Sequence, residues 1–292
     1  MKPEQYIARL EKLEGDRRNW DDHWQEVAEV VFPHRADFTK EVTRGERKNV
    51  KIVDSTAVNA NELLGAGLHG MLTNPASKWF KLRLTDNILN EDPNIKIWLE
   101  EVERRMYMAL NSPKAKFSSH IHELYLDMTA FGTATMFIGE DPATGELTFS
   151  TKHLKECYLA EDSQGFIDTV YRKFEYTARQ IVQKWGIENC SKGVIQAYEK
   201  DDKDKKFVLI HAVQPRADFE HGSLARENMP VASIYILKEE KHILEEGGFE
   251  EMPYVAPRWS KVSGETYGRG PGISNLPDIK MLNRMAETTI KA

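Results

Sequence analysis

Near Gly132 the spacing of apolar residues changes, from every third or fourth position before it towards every second position after it. A helix repeats every 3.6 residues and a strand every two, so this switch forces helices and sheet into separate stretches of chain. The fold class it predicts is α+β. A helical N-terminal third spans 1–131, a β-rich region with short helices spans 132–259, and a glycine-rich loop spans 260–275. Residues 1–275 are expected to form one domain, and a further helix starts within 276–292.

Before the switch, Trp20, Trp24, Val27, Ala28 and Val31 share one helical face, and Pro33 closes that helix. Asp54-Ser55-Thr56 reads as the cap of a second helix running to about Thr73, stopped by Asn74-Pro75. Small residues crowd it: Ala57, Ala60, Gly65, Ala66, Gly67 and Gly70. A glycine in a helix interior costs about 1 kcal/mol, so the segment predicts either close backbone packing or a break near Gly65. A third helix carries Ile95, Trp98, Leu99, Val102, Met106, Ala109 and Leu110 on one face, supported by Glu100–Arg104 and Glu101–Arg105 pairs. A fourth presents Phe117, Ile121, Leu124, Tyr125 and Met128.

After the switch, Asp141-Pro142-Ala143-Thr144-Gly145 joins Met136–Gly139 to Glu146–Thr151 as a hairpin. Ile167–Phe174, Phe207–Val213 and Val231–Leu237 read as strands, and Gly247-Gly248 as a turn. Thr177 is placed to cap a short helix ending at Trp185-Gly186. Helical spacing returns with Ile279, Leu282, Met285 and Ala286.

Composition removes several functions. With 292 residues, 40% hydrophobic and 29% charged, the chain is globular. Met1–Tyr6 lacks the apolar core of a secretory signal, and the longest apolar runs are strand-sized, so the reading is a soluble protein without a membrane partner. Cys157 and Cys190 read as reduced intracellular thiols. A net charge of −6 argues against a tight grip on DNA. The run Lys203-Asp204-Lys205-Lys206 is diluted by Asp201, Asp202 and Asp204 and reads as a solvated turn.

The chemical motifs fare no better. Gly65-Ala66-Gly67-Leu68-His69-Gly70 spells GxGxxG, but that fingerprint needs a strand before it and a helix opening after it; here a helical stretch precedes and Pro75 follows. His120 and His122 would point about 200° apart on a helix and cannot share an ion, with or without Glu123. Gly268-Arg269-Gly270-Pro271-Gly272 lacks the Lys-Ser/Thr of a phosphate loop and reads as a hinge, its glycines granting unusual dihedrals and Arg269 one bidentate contact. Asp127, Glu140, Asp141 and Asp168 isolate no acid/base pair. No catalytic residue, cofactor or metal is expected, and the chain is not expected to be an enzyme.

Three separated segments resemble the head-to-tail connecting protein family, the portals of short-tailed double-stranded DNA bacteriophages. The first runs from Asp54-Ser55-Thr56 through Leu63, Gly67–Thr73 and Pro75 to Trp79-Phe80-Lys81-Leu82. The second is Phe131-Gly132-Thr133-Ala134. The third comprises Pro257-Arg258-Trp259, Gly264-Glu265, Tyr267–Gly272, Leu276–Lys280 and Leu282-Asn283. Portals of this type are considerably longer, so the resemblance covers what would be the wing and the start of a channel-lining stem helix.

The resemblance implies a structural subunit of a dodecameric ring at a virion vertex, present in the host cytoplasm during assembly. Its implied partners are its own copies, a packaging ATPase, capsid or scaffold proteins, tail adaptors, and double-stranded DNA passing through with weak contacts. Another virion component, such as a tail adaptor or minor capsid protein, is the alternative. On this reading Gly268, Arg269, Gly270, Pro271 and Gly272 are the joint between wing and stem. Ala57, Ala60, Gly65, Gly67 and Gly70 are candidates for close packing near a subunit seam, since ring closure needs two different complementary patches.

Overall fold

The computed structural model describes residues 2–40, 45–48, 51–141, 143–200, 202–220, 222–223 and 225–292. Met1, Pro142 of the hairpin turn and Asp201 beside the lysine run lie outside the described residues. Four helices come first: α1 (Pro3–Val31), α2 (Thr56–Leu72), α3 (Pro93–Leu110) and α4 (Phe117–Phe131). Then follow β1 (Thr135–Glu140), β2 (Leu147–Lys152), β3 (Cys157–Glu161), β4 (Ile167–Thr177), α5 (Ala178–Trp185), α6 (Lys192–Glu199), β5 (Lys206–Pro215), β6 (Val231–Leu237), β7 (His242–Phe249) and β8 (Tyr254–Val255). A short α7 (Pro271–Ser274) occupies the end of the glycine-rich loop, and α8 (Leu276–Lys291) closes the order. The α+β segregation around Gly132 is as the periodicity predicts.

Strands β3 to β7 form one antiparallel sheet in chain order, and β2-β1-β8 form a smaller one. Alternate residues of the large sheet face opposite ways. Tyr171, Ile210, Ala212, Ile234 and Ile236 pack beneath Tyr6, Leu10 and Leu13 of α1. On the other face, Phe174, Leu209 and Leu237 meet Ile181 and Trp185 of α5 and Val194 of α6. The capping box at Thr177 is present, and Gly186 ends α5 with φ 78°. The largest cluster joins Trp24, Val27, Ala28 and Val31 of α1 to Ala130, Phe131, Tyr267, Ile273 and Leu276. It lies where helices and sheets meet.

Several expectations need correcting. Of the two expectations for α2, close packing holds and the break does not: the helix runs unbroken through Gly65, where a Cβ would stand 2.6 Å from Leu126 Cδ2, so the glycine lets α2 and α4 close up. Gly247-Gly248 is no turn; both lie inside β7, opposite Ser233 and Ala232. A Cβ on Gly248 would be 2.4 Å from the Arg226 carbonyl, so the pair admits a crossing segment rather than a reversal. On α3, Leu99 is buried but Trp98 and Met106 are exposed, because this helix packs mainly on the segment just before it. Arg104 pairs with Glu101 rather than Glu100.

Candidate assembly site around Gly132

Gly132 ends α4 in the left-handed region at φ 77°, a conformation that glycine adopts without penalty. An added Cβ would sit 2.3 Å from the Gly270 nitrogen and 2.4 Å from the Gly268 oxygen. The approach is reciprocal: a Cβ on Gly268 would be 2.6 Å from Gly132 O, one on Gly270 2.7 Å from Gly132 N, and one on Gly272 2.5 Å from Ala130 O. Four glycines therefore let two backbones touch. Hydrogen bonds fasten them: Trp259 N donates to Gly132 O (2.9 Å) and Gly268 N to Thr133 Oγ1 (2.8 Å), while Arg269 N to Ser260 O (2.9 Å) closes the loop on itself. Gly268, Gly270 and Gly272 are absent from the positive-φ residues, so close approach, not unusual dihedrals, explains them.

The same knot carries α8. Leu276 is buried in the largest cluster and Ile279 packs against it. Farther along, Asn283 Oδ1 accepts from Val53 N (2.8 Å) and Asp54 N (3.0 Å), while its Nδ2 donates to Lys51 O (2.8 Å). One amide thus ties α8 to the chain leading into α2. Between them runs a mainly apolar groove of about 390 Å³, lined by Ala57, Ala60 and Leu64 on one side and Pro271, Gly272 and Ile279 on the other. So Ala57 and Ala60 face Pro271 and Gly272, the end of the Gly268–Gly272 segment, across this groove. Gly65 is spent against Leu126, while a Cβ on Gly67 or Gly70 would meet nothing beyond its own helix within 4 Å.

A family model described as bacteriophage head to tail connecting protein matches residues 3–292. The chain belongs to that family. It is 31% identical over 283 residues to the portal protein of Salmonella phage epsilon15, which covers 96% of this chain and 50% of that protein. It is 30% identical over 279 residues to the probable portal protein of Bordetella phage BPP-1, covering 94% and 50% respectively. The chain spans about half the length of the curated relatives it matches.

The charged groups near the knot are engaged in structure. Arg269 makes its bidentate contact within the chain, to Glu265 (2.9 and 2.5 Å), and lies over the Trp20 ring. Arg258 pairs with Glu161 and donates to Gly165 O (2.8 Å). Tyr267 stacks edge-on against Trp24, its hydroxyl accepts from Leu159 N (3.0 Å), and burial pushes its pKa up to about 12. Asp127 is buried and takes both arms of Arg35 (3.0 and 3.1 Å); burial raises its carboxyl, against the pull of Arg35. Asp168 and the hairpin residues Glu140 and Asp141 lie on other elements.

His120 Nδ1 lies 3.3 Å from both the Glu123 carboxylate and the Thr151 backbone N, and can bond only one of them at a time, while His122 faces His69 at 5.8 Å between ring centres. Among the described residues, no group of three or more His, Cys, Asp or Glu could hold a metal ion, and no helix is long and apolar enough to cross a membrane. Both cysteines are buried and unpaired, and burial pushes the Cys157 thiol up to about 11. The arrangement can pack and lock.

Sequence reasoning missed Arg17. Its guanidinium donates to the carbonyls of Leu154 (2.9 Å), Lys155 (2.8 Å) and Cys157 (2.7 Å) and stacks on Tyr158. Its signal was present, since 6, 10, 13 and 17 continue one helical stripe and put an arginine on a buried face.

Proposed function

We propose that this chain is a structural subunit of the phage portal, assembling with its copies into the ring through which DNA is packaged and ejected. The match to the connector family over residues 3–292, together with the similarity to two portal relatives, carries this reading. The packing adds physical support. Segments more than a hundred residues apart converge on Gly132 and are tied there by hydrogen bonds and close backbone approach. The Gly268–Gly272 joint then acts as a fixed elbow that sets the direction of α8, with Ala57 and Ala60 beside it near a subunit seam. The packaging ATPase, capsid or scaffold proteins and tail adaptors are its partners at the virion vertex, and assembly takes place in the host cytoplasm. DNA passes with weak contacts, consistent with the net charge of −6.

The test appends the C-terminal half of the epsilon15 portal protein to this chain and examines the chimera by negative-stain microscopy and native mass spectrometry. Closed rings are expected. Monomers at every concentration would sink the reading, and nanomolar DNA binding at physiological salt would sink the loose-conduit part of it.

A further inference from the structure

Residues 78–84 belong to no helix, strand, turn or bend, yet their exposure alternates: Lys81 and Arg83 face solvent and Trp79 is partly exposed with its ring stacked on Phe117, while Phe80, Leu82 and Leu84 are half-buried. That period of two is the signature of an extended chain. Hydrogen bonds follow the same alternation. Phe80 N donates to Tyr107 Oη (2.6 Å), which donates back to Phe80 O (3.2 Å). Leu82 N donates to Glu103 Oε1 (2.8 Å). Leu84 N donates to Asn90 Oδ1 (2.9 Å), whose Nδ2 returns a bond to Leu84 O (2.8 Å). Side chains from α3 and the loop before it thus mimic a neighbouring strand, which exchanges both bonds with every second residue. The backbone groups of Trp79, Lys81 and Arg83 have no partner among the described residues.

We infer that residues 78–84 are a preformed strand edge that receives an extended acidic segment from a second copy of this chain. The inference rests on the ring-subunit reading and names a seam for it. Ordering an edge beforehand removes an entropic cost from strand addition. The charge selects the occupant: Lys78, Lys81 and Arg83 are exposed and form no ion pair among the described residues, Arg83 acting on Glu91 only through space. Setting these three aside leaves 46 acidic residues against 37 basic ones, so another copy offers the complementary sign. Nucleic acid fits less well. A phosphate only accepts hydrogen bonds, whereas this edge alternates N–H with C=O, the pattern that another backbone completes. The contact joins two different surfaces, as ring closure demands.

Charged residues on a strand edge can also keep strands apart, and the test separates the two roles. Backbone amide exchange is followed residue by residue in the chain at low and high concentration, or in the rings of the chimera if the chain alone stays monomeric. The N–H groups of Trp79, Lys81 and Arg83 should gain protection on association. Lys81→Pro removes an outward N–H, leaves the bonds of Phe80, Leu82 and Leu84 in place and should abolish that protection at an unchanged Tm. Paired Lys81→Gln and Arg83→Gln substitutions should weaken association about tenfold or more. Oligomers with these amides unprotected, or unaffected by Lys81→Pro, would overturn the seam and leave the ring reading standing. Stronger association of the glutamine variant would mean that the charges repel strands and would also overturn it. No assembly in either protein overturns both.

Discussion

Gly132 and Gly67 are both glycines beside or within helices, and their neighbourhoods give them opposite roles. Gly132→Ala must hold a positive φ and drive a Cβ into the Gly268–Gly270 backbone, so a loss of about 3 kcal/mol or more is expected. Gly67→Ala meets open space inside α2 and should gain about 0.5–1 kcal/mol from helix propensity. Urea unfolding of the two variants checks the pair. His211 shows a second residue-scale effect. It is buried between the Tyr254 hydroxyl (3.1 Å) and the Ser233 hydroxyl (2.9 Å) and stacks flat on Tyr235 at 4.0 Å. Burial, reinforced by Lys184, Arg172 and Lys152, holds its pKa well below the usual histidine value of 6.5. The unfolded chain therefore takes up a proton near that pH that the native state refuses, so stability is full above it and falls as pH drops. His23 and His69 shift the same way. His211→Asn should be less stable at neutral pH, yet lose less stability between neutrality and pH 5, as thermal unfolding across pH would show.

Among the elements, α3 is the least supported long helix. It carries an N-cap, Asp92 accepting from Asn94 N (2.7 Å), and a Glu101 carboxylate shared by Arg104 and Arg105. Its apolar residues Ile97, Trp98, Met106 and Met108 nevertheless face solvent. What holds it is the 78–84 segment, through Tyr107 and Glu103 and through Phe80 stacked on the Tyr107 ring at 4.3 Å. Local opening follows where burial is thin, so amide exchange should be faster in α3 than in α1 or α4. Tyr107→Phe keeps the stacking but leaves the Phe80 backbone without its partner. It should cost about 1 kcal/mol and speed exchange at Phe80 while leaving the large sheet unchanged.

For the molecule as a whole, the knot at Gly132 couples helices, both sheets and α8. A free hinge would tolerate valine at Gly268 and Gly270 with the domain still folded and only assembly impaired. The close backbone approach predicts otherwise: the double substitution should lower the Tm of the domain itself by many degrees. Measuring Tm beside assembly distinguishes these outcomes. An unchanged Tm with lost assembly would return the segment to a flexible role.

Periodicity alone was enough to place the four N-terminal helices, the β1–β2 hairpin, strands β4, β5 and β6, the switch at Gly132 and the Thr177 cap, because each depends on neighbours within a turn, whereas β3, α6, β7 and β8 escaped it. The family signature was legible as three separate stretches. Their meeting was not, because contacts such as Asn283 with Asp54, or Gly132 with Gly270, join residues more than a hundred positions apart through backbone approach that no local pattern encodes. The folded chain likewise decided that Trp98 stays exposed and that Gly247-Gly248 sits within a strand. Local spacing gives a residue a face, but only the surrounding packing decides what that face meets.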